Sequence, residues 1–247
     1  LAKDQDFIFG VRAVTEAILS GKEIDRILLS RKPDNQINNE LFPLIRQHSV
    51  SFQFVPVEKL NRITLKNHQG VVAYLSPVSY YPLEEIIINC FDKGKDPLIL
   101  VLDHITDVGN FGAIARSAEC MGVDGIIISE KGGARINADA IKASAGALLR
   151  IPVSRVASLG SAVDYLAASG LRIIAGTEKA EKPADKVSLT GPLAIITGAE
   201  DTGISLSLLE KSHELMKIPM PGKITSLNVS AATAILLYET MRQRMKD

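Results

Sequence analysis

The chain of 247 residues is short of cysteine and histidine and has no net charge: it holds two Cys and four His, and 28 basic residues balance 28 acidic ones. Cys90 and Cys120 make no CxxC pair and no disulfide framework, which suits the reducing cytoplasm; each reads as a small buried hydrophobe. His48, His68, His104 and His213 fall into no HExxH or other ligand spacing, so no metal is expected. There is no GxSxG elbow and no GxxxxGK[ST] loop, which leaves hydrolase and P-loop chemistry without support. The longest apolar runs, such as residues 98–102 and 125–128, are far too short to span a bilayer, and no secretion signal is expected at the start. Zero net charge gives no support for a nucleic-acid partner, although a local basic face balanced by acid elsewhere stays open.

What is present is ample material for a core, with 46% hydrophobic and 23% charged residues. Two blocks are expected. In the first, from about Phe7 to Ser76, helical stripes at residues 11–19 and 38–47 alternate with β-branched or aromatic runs at 24–29, 50–55 and 71–75. This predicts a small α/β domain over 1–77. Residues 76–97 hold Pro77, Pro82 and Pro97 and the polar string 92–96, around a possible helix at 83–91, and the connection between the blocks is expected at 78–96. In the second block, 97–247, strands are expected at 98–102, 125–129, 152–154, 171–175, 193–197 and 215–218, with helices between most of them. Alternating βα units predict a mostly parallel sheet covered on both faces, with its ligand beyond the carboxyl ends of the strands. The last helix shows Ala231, Ile235, Tyr238, Met241 and Met245 at helical spacing, a stripe suited to burial against either the same chain or a partner.

Residues 98–130 have the outline of a dinucleotide-binding unit, but the loop 107–112 lacks the first glycine of GxGxxG and places bulky Phe111 where a pyrophosphate should approach. Three other segments carry more information. Residues 110–118 read N-F-G-A-I-A-R-S-A; Asn110 is expected to cap the helix, and Arg116 by itself reads equally as a surface arginine. Residues 195–205 run from an apolar strand into the turn G-A-E-D-T-G, which by itself is only a tight strand end. Residues 218–230 read I-P-M-P-G-K-I-T-S-L-N-V-S, with Ser226 or Asn228 as cap of the last helix.

In this order and spacing, the three segments resemble the motifs of the SpoU (TrmH-like) RNA ribose 2′-O-methyltransferases of the SPOUT class. Residues 136–139 and 143–147 resemble that family's intervening segment. Residues 9–14 and 68–73 resemble its bacterial subgroup acting on a guanosine of 23S ribosomal RNA. Val108 and Asp201 depart from the usual proline and glycine. The resemblance implies a parallel-sheet α/β catalytic domain with a deep trefoil knot, preceded by an L30e-like RNA-binding domain. It also implies a homodimer and S-adenosylmethionine as cofactor. Thr177, Gly198, Ala199, Ile218, Met220 and Leu227 would bind that cofactor. Arg116 would be central to catalysis, with Asn110, Glu200, Ser226 and Asn228 orienting it, the ribose and the loops. Arg12, Arg31, Lys32, Arg62 and Lys66 are candidates for RNA phosphates, or equally a solvated face. The same chemistry on tRNA, a catalytically silent RNA-binding assembly factor and a nucleotide-dependent oxidoreductase are the competing readings.

Overall fold

A computed structural model describes residues 7–48, 50–224 and 226–245; Thr225 of the third motif lies outside them. The chain divides into two units, Leu1–Ser79 with Ile136–Ala138, and Tyr80–Arg135 with Asp139–Asp247.

The first unit contains β1 (Phe7–Phe9), α1 (Val11–Leu19), β2 (Ile24–Ser30), α2 (Phe42–Gln47), β3 (Phe52–Val55), α3 (Val57–Ile63) and β4 (Val71–Leu75). Its strands lie in the order β1-β4-β2-β3, with β2 and β3 parallel and the other pairs antiparallel. Side chains alternate across a strand, so the apolar runs feed two layers. Ile27 and Leu29 of β2 pack with Val14 and Ile18 of α1 and Ile45 of α2, whereas Leu28 and Val72 meet Leu60 of α3 on the other face. The helix expected over 38–47 forms without a break: Ile37–Leu41 is a π-type turn that runs directly into α2, and Pro43, which has no N–H to donate, follows that turn. Two of the family-like segments form one structural joint here. The Gln69 side chain accepts the Val11 N–H at 3.1 Å, at the start of α1. His68 is buried, accepts the Gly70 N–H through Nδ1 at 3.0 Å and lies 2.8 Å from Asn61 Oδ1 through Nε2.

The chain continues with α4 (Leu83–Asp92), β5 (Leu98–Asp103), α5 (Val108–Cys120), β6 (Gly125–Ser129), α6 (Ala138–Ala143), β7 (Val153–Val156), α7 (Leu159–Ala168), β8 (Arg172–Gly176), β9 (Leu193–Gly198), α8 (Leu206–Lys211), β10 (Glu214–Met216) and α9 (Val229–Arg244). The six strands of the second unit are all parallel, in the order β10-β8-β9-β5-β6-β7. From β5 the chain proceeds outward to β6 and β7, then returns on the other side of β5 through β8 and β9. Such a reversal leaves a crevice at the carboxyl ends of the strands. Ile99 and Val101 of β5 share a core with α4, α7 and α8. Leu98, Leu100 and Leu102 are buried on the opposite face, the side on which α5 packs against α9.

Two features differ from the sequence pattern. Residues 78–96, expected to connect the blocks, include α4, whose Leu83, Ile86 and Ile87 are buried in the core of the second unit. And the apolar stripe of α9 is not its core face. Val229, Thr233, Leu236, Leu237 and Thr240 are buried, while Ile235, Tyr238 and Met245 are exposed at 43%, 53% and 78%. The two threonines made the true core face look polar.

Candidate functional site

The ends of β8, β9 and β10 open into a cavity of about 410 Å³. Each wall follows from local chain geometry. The end of β8 is tied to β10 by the Thr177 N–H, which donates to the Met216 carbonyl at 2.8 Å. After Gly198, at the end of β9, the chain doubles back so that Ala199 and Gly203 pair, with the Gly203 N–H donating to the Ala199 carbonyl at 2.9 Å. A Cβ on Gly198 would stand 2.3 Å from the Gly203 backbone, so this return requires glycine. The far side of the loop is held by Asp103, buried at the end of β5. Its carboxylate accepts the Ser205 N–H at 2.8 Å and lies 2.7 Å from His104 Nδ1.

All six residues expected at the cofactor, Thr177, Gly198, Ala199, Ile218, Met220 and Leu227, line this cavity, as do Glu200 and Ser226. Ile204, Met216, Val229 and Leu236 are buried in its wall and form an apolar part of it, whereas the exposed Glu178, Lys179, Glu200 and Asp201 give it a charged rim. Thr197 and Thr233 also line it; both are buried, and neither hydroxyl has a hydrogen-bond partner among the described residues. Thr233, Val229 and Leu236 escaped the sequence reading because their spacing of three and four marks a helix face only when threonine is counted as a core residue.

Beside the cavity one side chain ties the three motifs together. Asn228 Nδ2 donates to Asn110 Oδ1 at 3.0 Å and to Glu200 Oε2 at 3.3 Å. Its Oδ1 accepts the Ser230 N–H at 3.0 Å and so caps α9. Asn110 does not cap α5 as expected. Asp107 does, accepting the Asn110 N–H at 2.7 Å, which leaves the Asn110 side chain to Asn228. The glycine of the first motif is a packing requirement: a Cβ on Gly112 would lie 2.5 Å from Ala143 Cβ, where α5 crosses α6.

Arg116 is exposed on α5 and does not line the cavity. Six residues from Asn110 turn a helix by about 240°, so the two side chains leave α5 from different faces. Ser226 is exposed at the rim. Arg12, Arg31, Lys32, Arg62 and Lys66 are all exposed on the first unit: on α1, just past β2, in the last turn of α3 and shortly after it. Among the described residues no group of His, Cys, Asp and Glu could hold a metal ion, and no helix is long and apolar enough to cross a membrane.

Known proteins resemble both units. The SpoU rRNA methylase family model matches residues 97–238, and a model for RNA 2′-O ribose methyltransferase substrate binding matches residues 7–81. A Bacillus subtilis (strain 168) protein named for the TrmH family of tRNA/rRNA methyltransferases is 30% identical over 244 residues, 99% of this chain and 98% of its own. A Staphylococcus saprophyticus protein with the same family name is 36% identical over 239 residues, 96% of this chain and 95% of its own. Among solved structures, the SpoU methyltransferase AviRb of Streptomyces viridochromogenes, in complex with AdoMet, has a TM-score of 0.63 at 24% identity and covers 99% of this chain and 92% of its own. The AdoMet-bound rRNA methyltransferase of Sinorhizobium meliloti has a TM-score of 0.61 at 23% identity, over 96% and 86% of the two chains. These two structural likenesses concern the fold.

Proposed function

Because the chain belongs to the SpoU family of RNA methyltransferases, we propose that it methylates the ribose 2′-hydroxyl of a guanosine in 23S ribosomal RNA with S-adenosylmethionine as donor. The observation that carries this reading is that the second and third motifs line one cavity and that Asn228 joins Glu200 on its rim to Asn110 of the first motif. The cavity suits such a cofactor: its volume lies within the range for small-ligand sites, its wall mixes apolar and polar groups, and two buried hydroxyls in it lack partners among the described residues.

When bound, S-adenosylmethionine supplies an already activated methyl group, so no metal is required. The chain's own residues then have to hold, align and exclude water. Ile218, Met220 and Leu227 cover the nucleoside, and the backbone at Thr177, Gly198 and Ala199 offers hydrogen bonds without charge. Asn110, Glu200 and Asn228 fix the ribose edge, with Ser226 at the rim. Arg116 clamps the RNA phosphate and stabilises the alkoxide that develops on the 2′-oxygen. A guanidinium stays protonated far above neutral pH, so Arg116 does not itself take the hydroxyl proton.

The exposure of Arg116 away from its own cavity supports a homodimer, in which each Arg116 serves the site of the other subunit. The exposed Ile235, Tyr238 and Met245 of α9 provide an apolar face for that contact. The catalytic unit carries the deep trefoil knot of its family. The first unit is an L30e-like RNA-holding domain, with Arg12, Arg31, Lys32, Arg62 and Lys66 on phosphates, and the enzyme works in the cytoplasm. A second reading, the same transfer to tRNA, is favoured by the tRNA/rRNA naming of the relatives.

The test is transfer of labelled methyl from S-adenosylmethionine to unmodified 23S rRNA and to tRNA, followed by nucleoside digestion, with Arg116→Ala and Arg116→Lys beside the wild type. Labelled 2′-O-methylguanosine from rRNA alone is the expected result. Label only on tRNA moves the substrate, and an Arg116→Lys enzyme with full turnover overturns the bidentate clamp. Cofactor binding without transfer to either RNA points to an assembling ribosomal particle as substrate, and no transfer with no cofactor binding favours a silent RNA-binding factor.

A further inference from the structure

We infer that the Thr197 and Thr233 hydroxyls are the side-chain hydrogen-bonding contacts for the nucleoside end of the methyl donor; this rests on the cofactor reading above. Thr197 is the last residue of β9 before Gly198 and is 4% exposed, and Thr233, in the second turn of α9, is 0% exposed. Both belong to the wall of the same cavity, although 36 positions apart in sequence. Buried hydroxyls are ordinarily satisfied, and α9 shows how. Thr240, on the same helix and equally buried, donates to the Leu236 carbonyl at 2.8 Å. Thr233 has the same recourse one turn back and does not use it; its hydroxyl and that of Thr197 have no partner among the described residues. An unpaired buried hydroxyl weakens a fold, and such a cost is offset where a ligand completes the hydrogen bond.

The surroundings decide which end of the ligand that is. Ile204, Met216, Val229 and Leu236 are the other buried residues of the cavity lining, and none offers a counter-charge for an ammonium or a carboxylate. The charged residues Glu178, Lys179, Glu200 and Asp201 are all exposed at the rim. The neutral nucleoside, with heteroatoms on its edge, therefore goes to the threonines, and the charged amino-acid end stays outside.

The test compares wild type with Thr197→Val and Thr233→Val, which keep shape and remove only the hydroxyl, and with Thr233→Ser, which keeps a hydroxyl. Binding of S-adenosylhomocysteine and of 5′-methylthioadenosine, which lacks the amino-acid end, is measured by calorimetry, and melting is followed without ligand. Each valine variant is expected to bind both ligands about tenfold more weakly. Its ligand-free melting temperature should match wild type or exceed it by about 2–4 °C, and Thr233→Ser should keep wild-type affinity. Valine variants with full affinity overturn the inference. Weakened S-adenosylhomocysteine with unchanged 5′-methylthioadenosine overturns the nucleoside placement. A lower ligand-free melting temperature in both valine variants makes the hydroxyls structural and also overturns it. If wild type itself binds neither ligand, the cofactor reading fails and takes this inference with it, an outcome distinct from binding that survives the substitutions.

Discussion

Gly198→Ala attacks the narrowest point of the site. The new Cβ would sit 2.3 Å from the carbonyl carbon and oxygen of Gly203 and 2.5 Å from the Ile204 nitrogen. Comfortable carbon contacts begin near 3.5 Å, so the backbone has to retreat by about 1 Å, and no flexible side chain can absorb that movement. Overpacking of this kind costs about 1–3 kcal/mol. The retreat also breaks the 2.9 Å hydrogen bond between Gly203 and Ala199, worth about 1 kcal/mol net. For a chain of this size the expected fall in melting temperature is on the order of 10 °C. If the loop instead lifts away, stability falls less and the cavity loses its wall from Gly198 to Ile204. Affinity for S-adenosylhomocysteine should then drop by well over tenfold, roughly. Thermal melting and calorimetry of the same preparation divide the effect between the two routes. The control is Gly160→Ala in α7, where the nearest atoms to a Cβ are 3.6 Å away; helix propensity alone should there stabilise by about 0.5 kcal/mol. A Gly198→Ala protein that melts and binds as the wild type does would refute the close-approach argument.

Asn228→Asp should separate capping from linkage: the retained Oδ1 still caps α9, but the donor to Asn110 and Glu200 is lost and a second carboxylate faces Glu200. Melting should change by less than about 3 °C while methyl transfer falls at least tenfold, roughly, whereas Asn228→Ala should lose both, with about 1 kcal/mol from the cap. Arg244→Met should destabilise by roughly 2–4 kcal/mol in denaturant titration, because the half-buried guanidinium donates to the carbonyls of Asp96, Pro97, Leu189 and Gly191, of which Pro97 keeps the Leu193 N–H when the guanidinium is removed and the others lose this donor. Cys120 is exposed and Cys90 buried; burial, reinforced by the charge of Asp124, pushes the Cys90 thiol up and keeps it protonated. Mass spectrometry after a thiol reagent at neutral pH should find Cys120 modified and Cys90 untouched until the protein is unfolded.

Much of the local structure was legible because it depends on period and chemistry close in sequence. The runs at 71–75 and 125–129 coincide with β4 and β6, and the stripe at 11–19 coincides with α1. Where the reading missed, a nearby competitor decided the outcome. Asp107, three residues earlier in the chain than Asn110, takes the cap of α5. On α9 the apolar stripe is not the face turned to the chain's own core: Ile235 and Tyr238 are exposed, and Thr233 and Thr240 are buried. Periodicity reports which side chains are apolar, not which face the rest of the fold covers.

Sequence by itself determined the alternation of strands and helices and the family, since both are written in residue type and spacing, and six of the residues lining the cavity followed from the family resemblance. Tertiary structure alone decided that the segment 78–96 enters the core of the second unit, that Asn228 bridges Asn110 and Glu200, and that Thr197 and Thr233 meet in one wall. Those outcomes depend on which strand ends become neighbours in a parallel sheet, and that order is fixed by long-range packing that no local spacing encodes.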